Sequence, residues 1–214
     1  MRKTQYYLDY YDLYMMLTKA TLPTVFDYQR YIDFVRALVK EGKTSGADQS
    51  EELVYYTGLN LVRMERIKKT FNFTEELSQA VRSLREEHKF VVLTEAWCGD
   101  AAQAVPVLGA MEELAEGKIE LQFLLRDENP ELMDQFLTNG GRSIPKLIIY
   151  KHSGEFVKSW GPRPKVLQDY IVSLKDAAEP MELSQMIEKI QLWYAKDRTL
   201  SVQHELAALL AGLS

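Results

Sequence analysis

The sequence has 214 residues, of which 46% are hydrophobic and 27% are charged, and its formal net charge is −5. This composition excludes a largely disordered chain, and the mildly acidic balance argues against nucleic acid as the main partner. No apolar run approaches the ~20 residues needed to cross a bilayer, and the single cysteine excludes an intrachain disulfide, so we expect a cytoplasmic protein without membrane contact.

Tyrosine is concentrated near the N-terminus, where nine of the twelve tyrosines lie between Tyr6 and Tyr56. We interpret them as the half-buried core of a helical N-terminal extension over residues 1–74, because aromatic burial supplies much of the stability of a small core. The alternative is a partner-binding surface, since tyrosine is enriched at protein interfaces.

Three helices are predicted before the first strand. An apolar stripe with helical spacing from Tyr31 to Val39 predicts the first, and the polar stretch 41–50 predicts a loop after it. The second helix is expected over residues 51–69. The third is expected to begin after Thr74, a good N-cap residue, and to run to Glu87.

From residue 89 the pattern changes to alternating strands and helices. Strands are expected at 90–96, 119–125, 147–150 and 155–160, and the last two form a hairpin. Helices are expected at 99–116, where Pro106 interrupts the pattern, and at 130–137 and 166–174. This order predicts an α/β sheet with a parallel start and an antiparallel finish.

Two further helices are predicted after Pro180. Their apolar stripes run over residues 183–193 and 202–213. Each stripe must be covered by the core domain, by the N-terminal helices or by a second chain, so a homodimer or another protein partner is compatible with the sequence.

One position combines a reactive side chain with a suitable setting. Cys98, in Trp97-Cys98-Gly99-Asp100, lies where a predicted strand meets a predicted helix, and the first turn of a helix stabilises a thiolate. The alternative is a small buried hydrophobic residue, which is the commoner environment of a free cysteine. The histidines lack ligand spacing and no phosphate loop is present, so we expect neither a metal nor a cofactor.

Three segments resemble the thioredoxin family. EAWCGDAAQAVP (95–106) is similar to its active-site segment, DENP (127–130) to its turn after the second strand, and GGRSIPKLIIYKHSGEFVKSWG (140–161) to its segment around a cis-proline. The segments occur in the family's order across about residues 89–176. The chain is therefore identified as a member of the thioredoxin-like family, similar to a bacterial subgroup with a helical N-terminal extension and a WCGD motif.

The resemblance implies both a fold and a site. The fold is a three-layer α/β/α sandwich with a four-stranded mixed sheet over residues 75–178, with the extension 1–74 before it and C-terminal helices over 179–214. The site would have Cys98 and a cis Pro145 as catalytic residues. The implied substrate-binding residues around them are Trp97, Gly99, Asp100, Ala101 and Ile144, of which Ile144 would offer backbone groups to an extended substrate.

The sequence departs from the family's dithiol enzymes at two positions. Their second cysteine is matched by Ala101, and their buried strand carboxylate is matched by Val92. Asp100, and Glu95 if it faces the site, should raise the pKa of Cys98, whereas the helix N-terminus should lower it. We expect mixed-disulfide chemistry of a single thiol with glutathione or protein thiols rather than dithiol reductase activity. The alternative is a non-catalytic binding module of the same fold.

Overall fold

The computed structural model describes residues 25–176 and 181–213. The elements of the first part are α1 (Tyr28–Glu41), α2 (Glu51–Thr70), α3 (Glu75–Arg82), β1 (His88–Thr94), α4 (Ala101–Leu114), β2 (Ile119–Leu125), a 3-10 turn (Arg126–Glu128), α5 (Pro130–Met133), β3 (Lys146–Lys151), β4 (Phe156–Trp160) and α6 (Lys165–Lys175). The second part contains α7 (Leu183–Asp197) and α8 (Leu200–Leu210). The tyrosines from Tyr6 to Tyr14 lie outside the described residues.

The sheet has four strands in the order β2-β1-β3-β4. β1 is parallel to β2, and β3 is antiparallel to both β1 and β4, which confirms the predicted parallel start and antiparallel finish. Successive side chains of a strand point to opposite faces, and all four residues from Phe90 to Leu93 are buried. Both faces of the sheet are therefore covered, and the thioredoxin-like fold with helical extensions is confirmed.

Two predicted helix ends are wrong, whereas the predicted starts agree closely. The hydroxyl of Thr74 accepts the Leu77 N–H at 3.2 Å and so caps α3 as expected. α3 ends at Arg82 instead of Glu87, because Leu84 turns back into the core before β1. α5 ends at Met133, since the following residues turn into the bridge between Thr138 and Gly141.

α4 differs most from its predicted amphipathic pattern. Pro106 lies inside it without ending it, and ten of its residues are buried, from Ala101 to Gly109 and Met111. This burial follows from its neighbours, because α2, α3, α8 and β2 all pack against it. α4 is therefore a central helix with no solvent face over most of its length, and its first turn lies beside Cys98.

The first described helix, α1, is attached to the edge of the sheet. Phe26 forms an antiparallel bridge with Phe123 of β2, and the ring of Tyr31 stacks on Phe123 with centroids 5.1 Å apart. Tyr28 and Tyr31 are buried, which confirms the core interpretation for these two, whereas Tyr55 is 63% exposed.

Helix α1 contacts α4 at Gly109 through the ring of Tyr28. A Cβ atom at Gly109 would stand 2.6 Å from Cδ2 of Tyr28 and 2.8 Å from its Cγ. Real Cβ atoms do not approach neighbours this closely, so the buried Tyr28 ring would have to shift. A side chain at position 109 would therefore move α1 away from α4.

We expect Gly109→Ala to lower the free energy of unfolding by about 1–3 kcal/mol, because overpacking displaces neighbouring side chains. Gly58→Ala on α2 is the matched control, since nothing lies within 4 Å of its Cβ position. That variant should gain roughly 0.5–1 kcal/mol from the higher helix propensity of alanine. Urea unfolding measures both, and a gain at both positions would contradict the close contact between α1 and α4.

The two C-terminal helices pack differently. α8 contacts α3, α4 and β4, and Val202, Leu206 and Leu210 of its predicted stripe are buried. α7 packs against α6, where Tyr194 joins a small separate apolar cluster, and its first residue Leu183 is 68% exposed. Within the described part of the chain, no helix combines the length and apolar character needed to span a membrane.

Candidate active site

Cys98 lies in the turn between the end of β1 and the start of α4. Its Sγ accepts the Ala101 N–H at 3.4 Å, and its thiol donates to the backbone oxygen of Ile144 at 3.3 Å. The peptide bond between Ile144 and Pro145 is cis. The sulfur is thus held between the first turn of α4 and the segment that leads into β3.

The Cys98 thiol is protonated at neutral pH. Burial raises its pKa from the ordinary 9.0 to about 12, and the charge of Asp100 adds to the rise. The backbone N–H groups of Ala101 and Asp100 and the guanidinium of Arg163 act in the opposite direction. The sequence left open whether the helix N-terminus or the carboxylates would dominate the pKa of Cys98. Burial together with Asp100 dominates, because Cys98 is only 7% exposed.

Asp100 connects the cysteine turn to the C-terminal part of the chain. Its Oδ2 lies 2.6 Å from Nη2 of Arg163, and its Oδ1 accepts the hydroxyl of Tyr194 at 2.8 Å. Burial raises the pKa of Asp100, while Arg163 and Tyr194 oppose the rise. The carboxylate therefore has two partners, one from the loop before α6 and one from α7.

Helix α7 also contacts the glycine of the motif. The Nε2 atom of Gln191 lies 2.8 Å from the position that a Cβ of Gly99 would occupy. The Oε1 atom of Gln191 accepts a hydrogen bond from Nε2 of Gln103 at 3.2 Å. A Cβ atom at position 99 would push aside the Gln191 amide, which is the end of a flexible side chain. Gln191 thus brings α7 into contact with both Gly99 and Gln103 at the start of α4.

Glu95 does not face the thiol. Its Oε2 accepts the hydroxyl of Ser45, and its Oε1 accepts the Asp127 N–H at 2.9 Å. Ser45 in turn accepts the Ala96 N–H at 2.8 Å. Burial raises the pKa of Glu95 itself, but its carboxylate points to the loop before α2. Glu95 was expected to raise the pKa of Cys98 only if it faced the site, and it does not face it.

A cleft of about 510 Å³ opens beside Cys98. Five of the seven predicted site residues line it, namely Trp97, Cys98, Gly99, Asp100 and Ile144. The other two, Ala101 and Pro145, are buried and do not line it. One wall comes from α2 and another from α7, which contributes Leu183, Ile187, Ile190 and Gln191.

Four arginines line the same cleft, at positions 63, 126, 142 and 163, and none was expected from the sequence. The guanidinium of Arg126 lies 4.9 Å from the ring centroid of Trp97, a cation–π geometry. Arg163 and Tyr194 had no local signal, because the bond from Tyr194 to Asp100 joins residues 94 positions apart. In residues 25–176 and 181–213, no group of three or more His, Cys, Asp and Glu is placed to hold a metal ion.

The segment before β3 is held by a second loop. Gly161 has a φ of 113°, and a Cβ atom there would collide with the backbone oxygen of Pro145. The Nζ of Lys146 donates to the oxygen of Gly161 at 3.2 Å and to the hydroxyl of Thr138 at 2.6 Å. Gly161 therefore lets this loop pass close to Pro145, next to the Ile144 oxygen that receives the Cys98 thiol.

A sequence model described as thioredoxin matches residues 46–180, which cover part of the loop before α2, the sheet and the cysteine turn. The chain belongs to the thioredoxin family. The matched range begins before α2 and extends through α6. It therefore contains every residue that lines the cleft except those of α7.

Individual thioredoxins match parts of the chain. Thioredoxin 1 of Nostoc sp. is 36% identical over 69 residues, which cover 32% of this chain and 62% of the relative. The thioredoxin of Synechocystis sp. is 40% identical over 55 residues, which cover 26% of this chain and 49% of the relative. The chain thus spans less than two thirds of these two thioredoxins. The thioredoxin of Listeria monocytogenes is 34% identical over 93 residues, which cover 42% of this chain and 86% of the relative.

Two solved structures share the fold. A crystal structure of an HIV epitope scaffold has a TM-score of 0.55 at 14% identity, covering 84% of this chain and 98% of the scaffold. A Pseudomonas aeruginosa protein of unknown function has a TM-score of 0.54 at 14% identity, covering 88% of this chain and 99% of that protein. Because both matches cover more than four fifths of this thioredoxin-family chain, the shared fold extends beyond the sheet and its nearest helices.

Proposed function

We propose that this thioredoxin-family protein uses Cys98 as a single exchanging thiol in the cytoplasm, where it forms mixed disulfides with glutathione or protein thiols. The supporting observation is the position of Sγ, which accepts the Ala101 N–H at the start of α4 and lines an open cleft. Ala101 stands where a resolving thiol would be needed, and the sequence has no second cysteine. Release therefore requires a thiol from another molecule.

The roles of the surrounding residues follow from their contacts. The N–H groups of Asp100 and Ala101 stabilise negative charge on the sulfur, and the guanidinium of Arg163 assists them. The backbone oxygen of Ile144 holds the resting thiol proton and would be freed when Cys98 reacts. Trp97 and Gly99 would flank the incoming sulfur, and Pro145 would fix the backbone that lies beside it.

The alternative is a binding module with an inert cysteine. A specific observation favours it, because the pKa of about 12 leaves very little thiolate at neutral pH. In that case the cleft would bind a partner without a covalent step. The two functions differ in whether a disulfide in the cleft is attacked by the sulfur.

Intact mass after incubation with glutathione disulfide tests the proposal. At mildly alkaline pH we expect one glutathione adduct on the folded protein and none on Cys98→Ser, with reversal by added thiol. We also expect no insulin reduction without a helper thiol, because no second cysteine resolves the adduct. An adduct that forms only after denaturation would instead support the binding module.

A further inference from the structure

The cleft beside Cys98 is opposite in charge to the protein that carries it. Four arginines line it, and among the described residues Glu52 and Asp100 are the acidic side chains that do so. The whole chain has a formal net charge of −5. The lining therefore has four positive side chains against two negative ones, and such an excess attracts anionic ligands.

Arg63 supplies positive charge that its nearest contact does not neutralise. Its Nη1 donates to the side-chain oxygen of Asn60 at 2.7 Å, and that oxygen carries no charge. Asn60 is itself fixed, because its Nδ2 donates to the Ala96 oxygen at 3.0 Å. The guanidinium is thus held on α2 at the cleft wall, beside the turn that carries Cys98.

Arg163 and Arg126 place further donors at the cleft. Arg163 neutralises Asp100, yet its Nε is buried and has no hydrogen-bond partner among the described residues. Arg126 lies over Trp97, next to the cysteine, and is paired with Asp127, just as Arg142 is paired with Asp134. Arg63 is therefore the cleft arginine without an acidic partner among the described residues. Because guanidinium groups bind carboxylates with two parallel hydrogen bonds, this set of donors suits a carboxylate ligand.

We propose that the cleft takes a small disulfide whose sulfurs are flanked by carboxylates, and that the arginines hold it against Cys98. The inference rests on the proposed function, since it names the substrate class of the same thiol. The volume of about 510 Å³ is that of a small-molecule site, and Trp97, Ile187 and Ile190 offer an apolar surface for methylene groups.

The reaction balances without any further reagent. The Cys98 thiol gives its proton to solvent, and Sγ forms a bond with the nearer sulfur of the disulfide. The original sulfur–sulfur bond breaks, and the far half leaves as a thiolate that takes up a proton. One carboxylate stays on the adduct and one leaves with the departing thiol.

Three symmetrical disulfides of different charge test the proposal: dithiodipropionate, which is a dianion, neutral hydroxyethyl disulfide, and cystamine, which is a dication. We expect dithiodipropionate to modify Cys98 about tenfold faster than hydroxyethyl disulfide, with cystamine slowest, as intact mass measures. Added salt should reduce the preference, because it screens the arginines. Equal rates, or a faster neutral disulfide, would overturn the inference and leave the proposed function standing.

Variants of the arginines identify the source of the preference. Arg63→Gln and Arg126→Gln should each lower the ratio of the dianion rate to the neutral rate about threefold. Arg66→Gln is the matched control, because it removes the same charge from the same helix but does not line the cleft. A ratio that falls equally in all three variants would show a general charge effect and overturn the assignment to the cleft.

A binding measurement separates this inference from the reaction itself. Calorimetric titration of Cys98→Ser with dithiodipropionate needs no reactive thiol. Saturable binding that Arg63→Gln weakens would support an acidic ligand. If no disulfide modified the wild-type protein, only the exchange reaction would be excluded, and this support would stand. No binding to Cys98→Ser overturns the inference.

Discussion

Alkylation of Cys98 by iodoacetamide is expected to speed up about tenfold per pH unit from neutral pH to about pH 10, with no plateau. The thiolate is the reacting form, and burial together with Asp100 raises the pKa of Cys98 to about 12. Raising the pH through the ordinary thiol range therefore ionises only a small fraction of the folded protein. Compared with a thiol at the ordinary pKa of 9.0, the thiolate fraction at neutral pH is smaller by about three powers of ten.

The denatured protein provides the control for this measurement. In guanidinium chloride the burial is lost, so the alkylation rate should level off near the ordinary thiol pKa and be roughly a thousandfold higher at neutral pH. Cys98→Ser gives the blank. If the folded protein also levels off at or below the ordinary pKa, then burial and Asp100 do not dominate, and the sulfur is more exposed than its 7% implies.

Arg163→Met is expected to lower the free energy of unfolding by about 3 kcal/mol, because breaking a buried ion pair leaves an uncompensated charge. Asp100 is 8% exposed, and after the substitution its carboxylate would retain only the hydroxyl of Tyr194. The methionine keeps much of the side-chain volume, so the loss reports mainly on charge and hydrogen bonding. Urea unfolding at neutral pH measures the effect.

The double variant Asp100→Ala/Arg163→Met should recover a large part of this loss, with a coupling energy of about 2 kcal/mol, since both charges are then absent. Arg142→Met is the matched control, because it breaks an exposed pair with Asp134 and should change stability little. Single effects that simply add, or equal losses in Arg163→Met and Arg142→Met, would contradict a buried pair at Asp100.

The sheet could be predicted because its signals are local. The apolar runs at 90–96 and 147–150 are long enough for buried strands and too short for most helices, and the turn after Lys151 joins β3 to β4. The position of Cys98 followed from the same pattern, since it stands between a strand and a helix. The helix ends at Arg82 and Met133 were missed, because they depend on where the chain must turn.

The partners of the motif could not be predicted in the same way. Asp100 was expected to act on the thiol, and it does raise the pKa of Cys98, but its bonds to Arg163 and Tyr194 depend on tertiary packing. Neither Arg163 nor Tyr194 stands at a sequence distance from Asp100 that would indicate a contact. The arginines of the cleft are likewise spread over α2, the 3-10 turn and two loops, so no stretch of sequence shows a cluster of positive charge.

The hydrogen bond between Ser45 and Glu95 restricts how this chain can evolve. The two residues are encoded far apart, so a recombination event with its breakpoint between them would combine one parent's donor with the other parent's acceptor. A buried carboxylate that loses a donor is costly, and its pKa is already raised by burial. Ser45 and Glu95 should therefore be inherited or replaced together, and the loop before α2 should descend with the cysteine turn as one unit.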